Sequence, residues 1–129
     1  MTFTKIVLVL VCLMSAPLVA QEAKVAPLIS KDLTECPGKE AVMITVEYPP
    51  GHSDEIHRHN AYVFVYVLEG SVVMQVRDGK EVTLTPGQTF YEGPNDIHLV
   101  GRNASKTKPA KFAAFFVKDK GAPITVPAK

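Results

Sequence analysis

Seven short runs rich in β-branched and aromatic residues, separated by turn-forming residues, dominate the sequence between residues 42 and 118. The turns include Pro49-Pro50-Gly51 and Pro86-Gly87, and Asp78-Gly79 is a strong signal for a two-residue hairpin loop. Short strands at this spacing predict an all-β sandwich or barrel rather than a fold built on long helices. The predicted strands cover residues 42–48, 62–68, 71–77, 80–84, 88–91, 97–100 and 111–118.

The size and charge of the chain limit its possible functions. Its 129 residues are enough for one domain with one core. A formal net charge of +1 gives no basic surface for nucleic acid, so we expect no nucleic-acid partner. No phosphate-binding loop, Cys-x-x-Cys motif or Ser-His-Asp order indicates kinase, thiol-redox or hydrolase chemistry.

The first twenty residues have the layout of a cleavable signal peptide. Lys5 supplies a positive start, residues 6–14 form an unbroken apolar run, and small or helix-breaking residues follow as far as Ala20. An uncleaved membrane anchor is the alternative, but residues 6–20 are short for a membrane span and are interrupted by Pro17. We predict cleavage after Ala20, a periplasmic or secreted protein, and no membrane partner after cleavage.

The rest of the chain divides into three predicted parts. Residues 21–40 form an N-terminal arm with at most one short strand, residues 41–118 form the barrel, and residues 119–129 form a C-terminal tail. Cys12 would leave with the signal peptide, so Cys36 would have no partner for an internal disulfide. Cys36 is then either an intermolecular bridge or reactive thiol, or, as we favour, a partly buried small apolar side chain.

A closely spaced pair of histidines is the main chemical signal. His57 and His59 stand two residues apart, so on an extended strand both imidazoles leave the same face. Two neutral imidazoles at this spacing can share one ion such as Zn, Cu, Fe or Ni. If the strand continues without a bulge, the same face carries a row of small and branched apolar residues, namely Ala61, Val63, Val65 and Val67.

The surroundings of this pair resemble a known family. Residues 51–70 are similar to the first sequence motif of the cupins: a glycine, five residues, His-x-His, and a closing glycine. The second cupin motif maps onto residues 87–103, with His98 at its histidine position and Asn103 near its asparagine. The resemblance covers about residues 40–118. It implies an all-β, cupin-type jelly-roll barrel with a metal site in its lumen.

One ligand of the usual cupin site, which has three histidines and one glutamate, is missing. The glutamate of the first motif falls at Val63, with Phe64 as the alternative shifted by one residue, and neither side chain can bind a metal. The resemblance therefore implies a divalent ion, whether Fe, Ni, Mn or Zn, held by three histidines. These are His57, His59 and His98.

Three neutral donors leave such an ion with its full charge and with more open positions. A tetrahedral Zn would keep one water and lower its pKa to about 7. An octahedral Fe(II) would have three positions for a bidentate anionic substrate and dioxygen, as in similar three-histidine dioxygenases among the cupins. We expect either a metal-dependent oxidoreductase or dioxygenase acting on a small molecule, or a non-catalytic small-molecule or metal-binding barrel.

Three further polar residues are weaker candidates. Gln75, on the strand after the first motif, is a candidate substrate hydrogen-bond donor, with an outward orientation as the equal alternative. His52 lies in a Pro-Gly loop, and we predict that it is exposed. Glu92 is predicted to be exposed like most glutamates, and it replaces the missing carboxylate only if its loop turns inward.

The strand at residues 62–68 also predicts an interface. If its valines line the barrel, Tyr62, Phe64 and Tyr66 point outward, and a strand that is apolar on both faces is normally buried on both. The N-terminal arm or a second subunit could cover this aromatic row. Similarity to small cupins, which commonly dimerise, favours a homodimer.

Overall fold

The computed structural model describes residues 21–128, which form two five-stranded antiparallel sheets facing each other across a common lumen. The larger sheet has the strand order β1-β2-β9-β4-β7, and the smaller has the order β10-β3-β8-β5-β6. The predicted all-β barrel is confirmed. The strands are β1 (Lys24–Asp32), β2 (Lys39–Tyr48), β3 (His57–Arg58), β4 (Tyr62–Glu69), β5 (Val72–Val76), β6 (Val82–Leu84), β7 (Thr89–Glu92), β8 (His98–Asn103), β9 (Ala110–Asp119) and β10 (Val126–Pro127).

The predicted signal peptide lies outside the described residues. Within residues 21–128, no helix is long and apolar enough to cross a membrane. Cys36 is exposed, so the expectation that its side chain would be partly buried is wrong.

The N-terminal arm is more ordered than the sequence suggests. Instead of one short strand, β1 is a nine-residue strand that pairs along most of β2, with a bulge between Pro27 and Ile29. All nine residues are exposed, so β1 has no apolar alternation for a sequence pattern to reveal. It gains its order from the hydrogen bonds of the β2 edge rather than from burial.

Alternation along β4 fixes the position of the lumen. Val63, Val65 and Val67 are at most 3% exposed, whereas the residues between them point to the outside of the barrel. Gly70 ends this strand with a φ of +67°, and a Cβ there would lie 2.5 Å from the carbonyl oxygen of Pro109. Both the backbone conformation and the close approach therefore require glycine at this turn.

The C-terminal tail folds back over one end of the barrel. Its short strand β10 pairs with β3, the strand that carries His57. The ammonium group of Lys118 is buried at the start of the tail and donates hydrogen bonds to Glu40 and to the carbonyl oxygen of Ala122. The tail is thus held by Lys118 at Ala122 and, beside the predicted site, by the pairing of β10 with β3.

Candidate metal centre

The three histidines predicted as ligands meet in the lumen. His57 and His98 are paired across β3 and β8, and His59 follows directly after β3. One ring nitrogen from each lies within 4.8 Å of those from the other two, which is close enough to hold a metal. The strand is not continuous as predicted, because Asn60 takes a φ of +50° and separates β3 from β4. The histidines and the valine row therefore belong to different sheets but face the same lumen.

Backbone carbonyls orient the rings of His57 and His59. Nδ1 of His57 donates to the carbonyl of Glu55 at 2.7 Å, and Nδ1 of His59 donates to that of Ile124, also at 2.7 Å. In each neutral ring the lone pair is then on Nε2. The two Nε2 atoms lie 3.2 Å apart, so two lone pairs face each other. A cation between them removes this repulsion, so the donor set fits a metal ion.

His98 is oriented by a different partner. Its Nε2 donates to the carbonyl of Val100 at 2.5 Å, and its Nδ1 lies 3.0 Å from Oε1 of Glu92. That contact is poorly aligned, so Nδ1 of His98 and Oε2 of Glu92 are both buried without a well-directed hydrogen bond. Unsatisfied buried groups are uncommon in folded proteins, and they occur where an ion or water belongs. These two atoms also fit a metal.

The prediction that Glu92 is exposed is wrong. Glu92 is 2% exposed and lies at the end of β7, where it pairs with Val63 of β4. Its Oε2 is 3.7 Å from Nε2 of His59. The two-residue spacing from Phe90, which packs against the core, is the signal that could have placed Glu92 on the inner face.

Burial and the Glu92 carboxylate have opposite effects on the pKa values of the histidines in the site. Burial lowers the pKa of His59 below its ordinary value. Burial also opposes protonation of His98, but the interaction with the nearby Glu92 carboxylate outweighs it and raises the pKa of His98. In the same way burial disfavours the Glu92 carboxylate, yet the neighbouring histidines lower its pKa. Glu92 is therefore an anion within the site.

Gln75, the candidate substrate hydrogen-bond donor, is not among the residues that line the cavity beside the histidines. Its side-chain amide donates to the carbonyl of Gly79 at 2.9 Å and so fastens the β5–β6 hairpin. Its neighbour Met74 occupies the lumen face of β5 instead. Alternation along the strand turns Gln75 away from the cavity.

The prediction that His52 is exposed is also wrong, because its side chain is 9% exposed. Its Nε2 lies 2.8 Å from Oδ1 of Asp54, and the other oxygen of Asp54 accepts a hydrogen bond from the hydroxyl of Tyr48. Burial and the adjacent Asp54 charge raise the pKa of Tyr48, so its hydroxyl stays protonated. No sequence pattern links these three residues, since only the fold brings them together.

A cavity of about 650 Å³ opens from the histidines, a size suited to a small molecule. The tail residues Pro123, Ile124 and Thr125 form part of its wall. Its other walls are mainly apolar and come from both sheets, with Ile44, Val46, Val63, Val65, Met74, Phe112, Ala114 and Phe116 as contributors.

Solved structures with a similar fold include an uncharacterized conserved protein with a double-stranded β-helix domain from Klebsiella pneumoniae. It is 17% identical with a TM-score of 0.64, and the match covers 84% of this chain and 85% of that one. A cupin domain from Bordetella pertussis is 21% identical with a TM-score of 0.56, covering 74% and 93%. These identities show similarity of fold.

The DMSP lyase DddQ from Ruegeria pomeroyi DSS-3 is a further neighbour, with 19% identity and a TM-score of 0.59 over 67% of this chain. The match covers 42% of DddQ, so this chain spans less than half of the length of that lyase. No curated protein matches the chain. The family model for the cupin domain matches residues 44–117, which is more than half of the chain. The chain therefore belongs to the cupin family.

Proposed function

We propose that this cupin binds one divalent metal ion, Fe, Ni, Mn or Zn, through His57, His59 and His98. The observation that carries the proposal is the 3.2 Å separation of the Nε2 atoms of His57 and His59, whose Nδ1 atoms are both committed to backbone carbonyls. Such fixed, converging lone pairs are typical of metal-ligating histidines held by outer hydrogen bonds. The orphaned Nδ1 of His98 completes the set.

We further propose that the metal serves a metal-dependent oxidoreductase reaction, of the dioxygenase kind, on a small molecule. A bound metal would supply a Lewis acid, and Fe would also supply a redox centre. The apolar walls, such as Val63 and Phe112, would hold the body of a largely apolar substrate and exclude water. The histidines and their ion would bind a polar group of that substrate.

The alternative is a non-catalytic barrel that binds a small molecule or a metal. The same cavity and the same histidines support it, because fold alone does not select an activity. That a neighbour of this fold is a DMSP lyase supports small-molecule chemistry in such a barrel. It gives no preference for one reaction.

Metal analysis tests the proposal. Protein purified without chelator and reconstituted with Fe(II), Ni(II), Mn(II) or Zn(II) should hold one ion per chain. Replacement of any one ligand histidine by Ala should weaken binding at least about 100-fold, beyond most losses from outer-shell changes. His52→Ala is the matched control, since both ring nitrogens of His52 already have partners. Absence of stoichiometric metal after reconstitution would refute metal binding.

Once metal is bound, oxygen uptake with panels of small apolar substrates separates the two functions. Turnover that requires both the metal and dioxygen supports the oxidoreductase. Tight ligand binding with no turnover supports the non-catalytic barrel.

We also propose that the protein is exported to the periplasm or secreted after cleavage at Ala20. The support is the charged start and the apolar run of the first twenty residues. Intact-mass measurement of exported protein should place the N-terminus at or near Gln21. Retention of Met1 together with detergent-dependent solubility would contradict export.

A homodimer through the outer face of the larger sheet is the last part of the proposal. Tyr62, Phe64 and Tyr66 are each about half exposed there. The N-terminal arm, considered above as an alternative cover, instead pairs edge to edge with β2 in the same sheet. A second copy of the chain would bury the aromatic row that the arm leaves exposed.

A further inference from the structure

We propose that Glu92 is a fourth ligand of the metal, supplied from β7 in place of the carboxylate that the first cupin motif lacks at Val63. The inference rests on the proposed metal binding by His57, His59 and His98. It assigns a ligand role to a residue that lies on a different strand from the expected glutamate.

Strand register explains how the carboxylate can change strands. Val63 and Glu92 are direct partners across β4 and β7, so their side chains project from neighbouring positions on the same face of the sheet. Both residues are at most 2% exposed and both line the cavity. A carboxylate on either position therefore reaches the same part of the lumen.

Of three distances within the site, two match those between ligands of one ion and the third is slightly longer. Two atoms that each lie about 2.1 Å from a metal are about 3.0–3.4 Å apart in octahedral or tetrahedral geometry. Oε1 of Glu92 is 3.0 Å from Nδ1 of His98, and its Oε2 is 3.7 Å from Nε2 of His59. The pair formed by His57 and His59 has a separation of 3.2 Å. Glu92 thus lies among the free ring nitrogens, on the side where the ion would bind.

The hydrogen bonding of Glu92 supports the same role. A buried carboxylate normally accepts hydrogen bonds at both oxygens, because an unpaired buried charge is costly. Oε2 of Glu92 has no hydrogen-bond partner, and neither does Nδ1 of His98, although both are buried. One cation between them would satisfy both atoms and would neutralise the charge of the carboxylate.

A role in which Glu92 only orients His98 is the competing interpretation. In that case a neutral amide that keeps a hydrogen bond to His98 would preserve most of the metal affinity. In addition, wild type and Glu92→Gln would bind the ion through the same ligand atoms, so their metal spectra would be the same. The two roles therefore differ in both affinity and spectrum.

Cobalt binding to the full chain distinguishes them. Co²⁺ affinity is measured at fixed pH by chelator competition, and the visible d–d spectrum reports the ligand set. Glu92→Gln should weaken Co²⁺ binding more than about 100-fold, the upper limit for loss of an outer-shell partner, and should change the spectrum. Glu69→Gln, which removes an exposed charge from β4 of the same sheet, is the matched control and should change neither.

The transposed variant Val63→Glu/Glu92→Val provides a second test that does not depend on a single substitution. It keeps one carboxylate and one valine at the same pair of positions, so affinity should return to within about tenfold of the wild type. Far-UV circular dichroism without metal checks that each variant folds. If Glu92→Gln does not fold, failure of the transposed variant to bind Co²⁺ overturns the proposal.

Two further outcomes also overturn it. One is unchanged Co²⁺ affinity in Glu92→Gln. The other is weaker binding with an unchanged spectrum, which would assign Glu92 to orienting His98. If the wild type binds no metal, the proposed function fails together with this inference. If the wild type binds metal and Glu92→Gln binds it equally well, this inference fails and the proposed function stands.

Discussion

The two faces of the larger sheet are built from the same strands but have different environments. On β4, inward-pointing Val63 and Val65 are 1% and 3% exposed, whereas outward-pointing Phe64 and Tyr66 are 49% and 50% exposed. Both faces are apolar, so hydrophobicity alone does not tell which one encloses the core. The face that encloses the core is the concave one, which the smaller sheet covers.

The outer face is continuous across all five strands of this sheet. Successive cross-strand partners form one apolar row, namely Ile29, Met43, Phe115, Phe64 and Tyr91. Ring centroids of Phe64 lie 5.3 Å from those of Tyr91 and 6.2 Å from those of Phe115, so the aromatic part is already packed. The inner face, in contrast, is interrupted by Glu92. The other buried charge on this face, Lys118, is paired with Glu40, whereas Oε2 of Glu92 has no hydrogen-bond partner, so Glu92 marks the site. The unbroken apolar row is the surface proposed above for the homodimer.

Adjacent phenylalanines on β9 give the largest expected difference between the faces. Phe116→Ala should lower the free energy of unfolding by about 3–5 kcal/mol, because Phe116 is almost fully buried and its removal leaves a cavity. Phe115→Ala, on the half-buried outer face, should cost less than about 2 kcal/mol. Urea unfolding of both variants measures the difference.

Protein concentration provides the control for this pair. If the outer face is a dimer interface, the loss of unfolding free energy in Phe115→Ala should change with protein concentration. The loss in Phe116→Ala, measured against the wild type at the same concentration, should stay constant. Equal losses for the two variants would show that the faces are not energetically distinct.

Much of this contrast is predictable from the sequence, because strand alternation is a local pattern. Residues 62–68 alternate valine with larger apolar residues, and that pattern alone places Val63 inside and Phe64 outside. The length of strand β1 is not predictable from a local pattern, because its order comes from pairing with β2. The two-residue strands β3 and β10 are too short to carry any periodic signal.

Breaking the outer face is expected to change the oligomeric state. Phe64→Asp places a charge within the apolar row, where burial against a second copy would be strongly unfavourable. Light scattering should show a wild-type mass near twice that of the chain and a monomer for the variant. Thr83→Asp is the matched control, because it adds the same charge to an exposed position on the smaller sheet. A monodisperse wild-type monomer at micromolar concentration would contradict the proposed interface.

For the site, the sequence indicates the histidines but not their supports. The His57-x-His59 spacing is visible in the sequence, whereas the carbonyl of Ile124 that orients His59 is 65 residues away. The spacing from Phe90 can place Glu92 on the inner face, but its position next to Val63 depends on the pairing of β7 with β4, which a local pattern cannot supply. Side chains that act alone are thus easier to predict than those that act through a partner brought by the fold.

Metal affinity at the inner face should fall by a smaller amount when the C-terminal tail is shortened. Deletion of residues 124–129 removes the carbonyl that accepts from Nδ1 of His59 and the pairing of β10 with β3. Metal affinity should fall about 10–100-fold, the usual cost of losing an outer-shell partner. Ile124→Ala keeps the backbone carbonyl and should retain affinity close to that of the wild type. Chelator competition measures both, and equal affinities for the two variants would refute the orienting role.

Acidification should produce the most gradual change, and only at the inner face. A histidine must be neutral to bind a metal, so protons compete with the ion. The carboxylate of Glu92 raises the pKa of His98 despite its burial, so this competition should begin above about pH 6.5, the ordinary imidazole value. Affinity should then fall by up to about tenfold per pH unit for each ligand that becomes protonated.

In Glu92→Gln, loss of that carboxylate should move the onset to lower pH, whereas His52→Ala should leave the onset unchanged. Titration of metal affinity between pH 8 and pH 5 tests this, and a flat profile would contradict binding through histidines. The mass of the proposed dimer should not follow the same profile, because the outer apolar row contains no histidine.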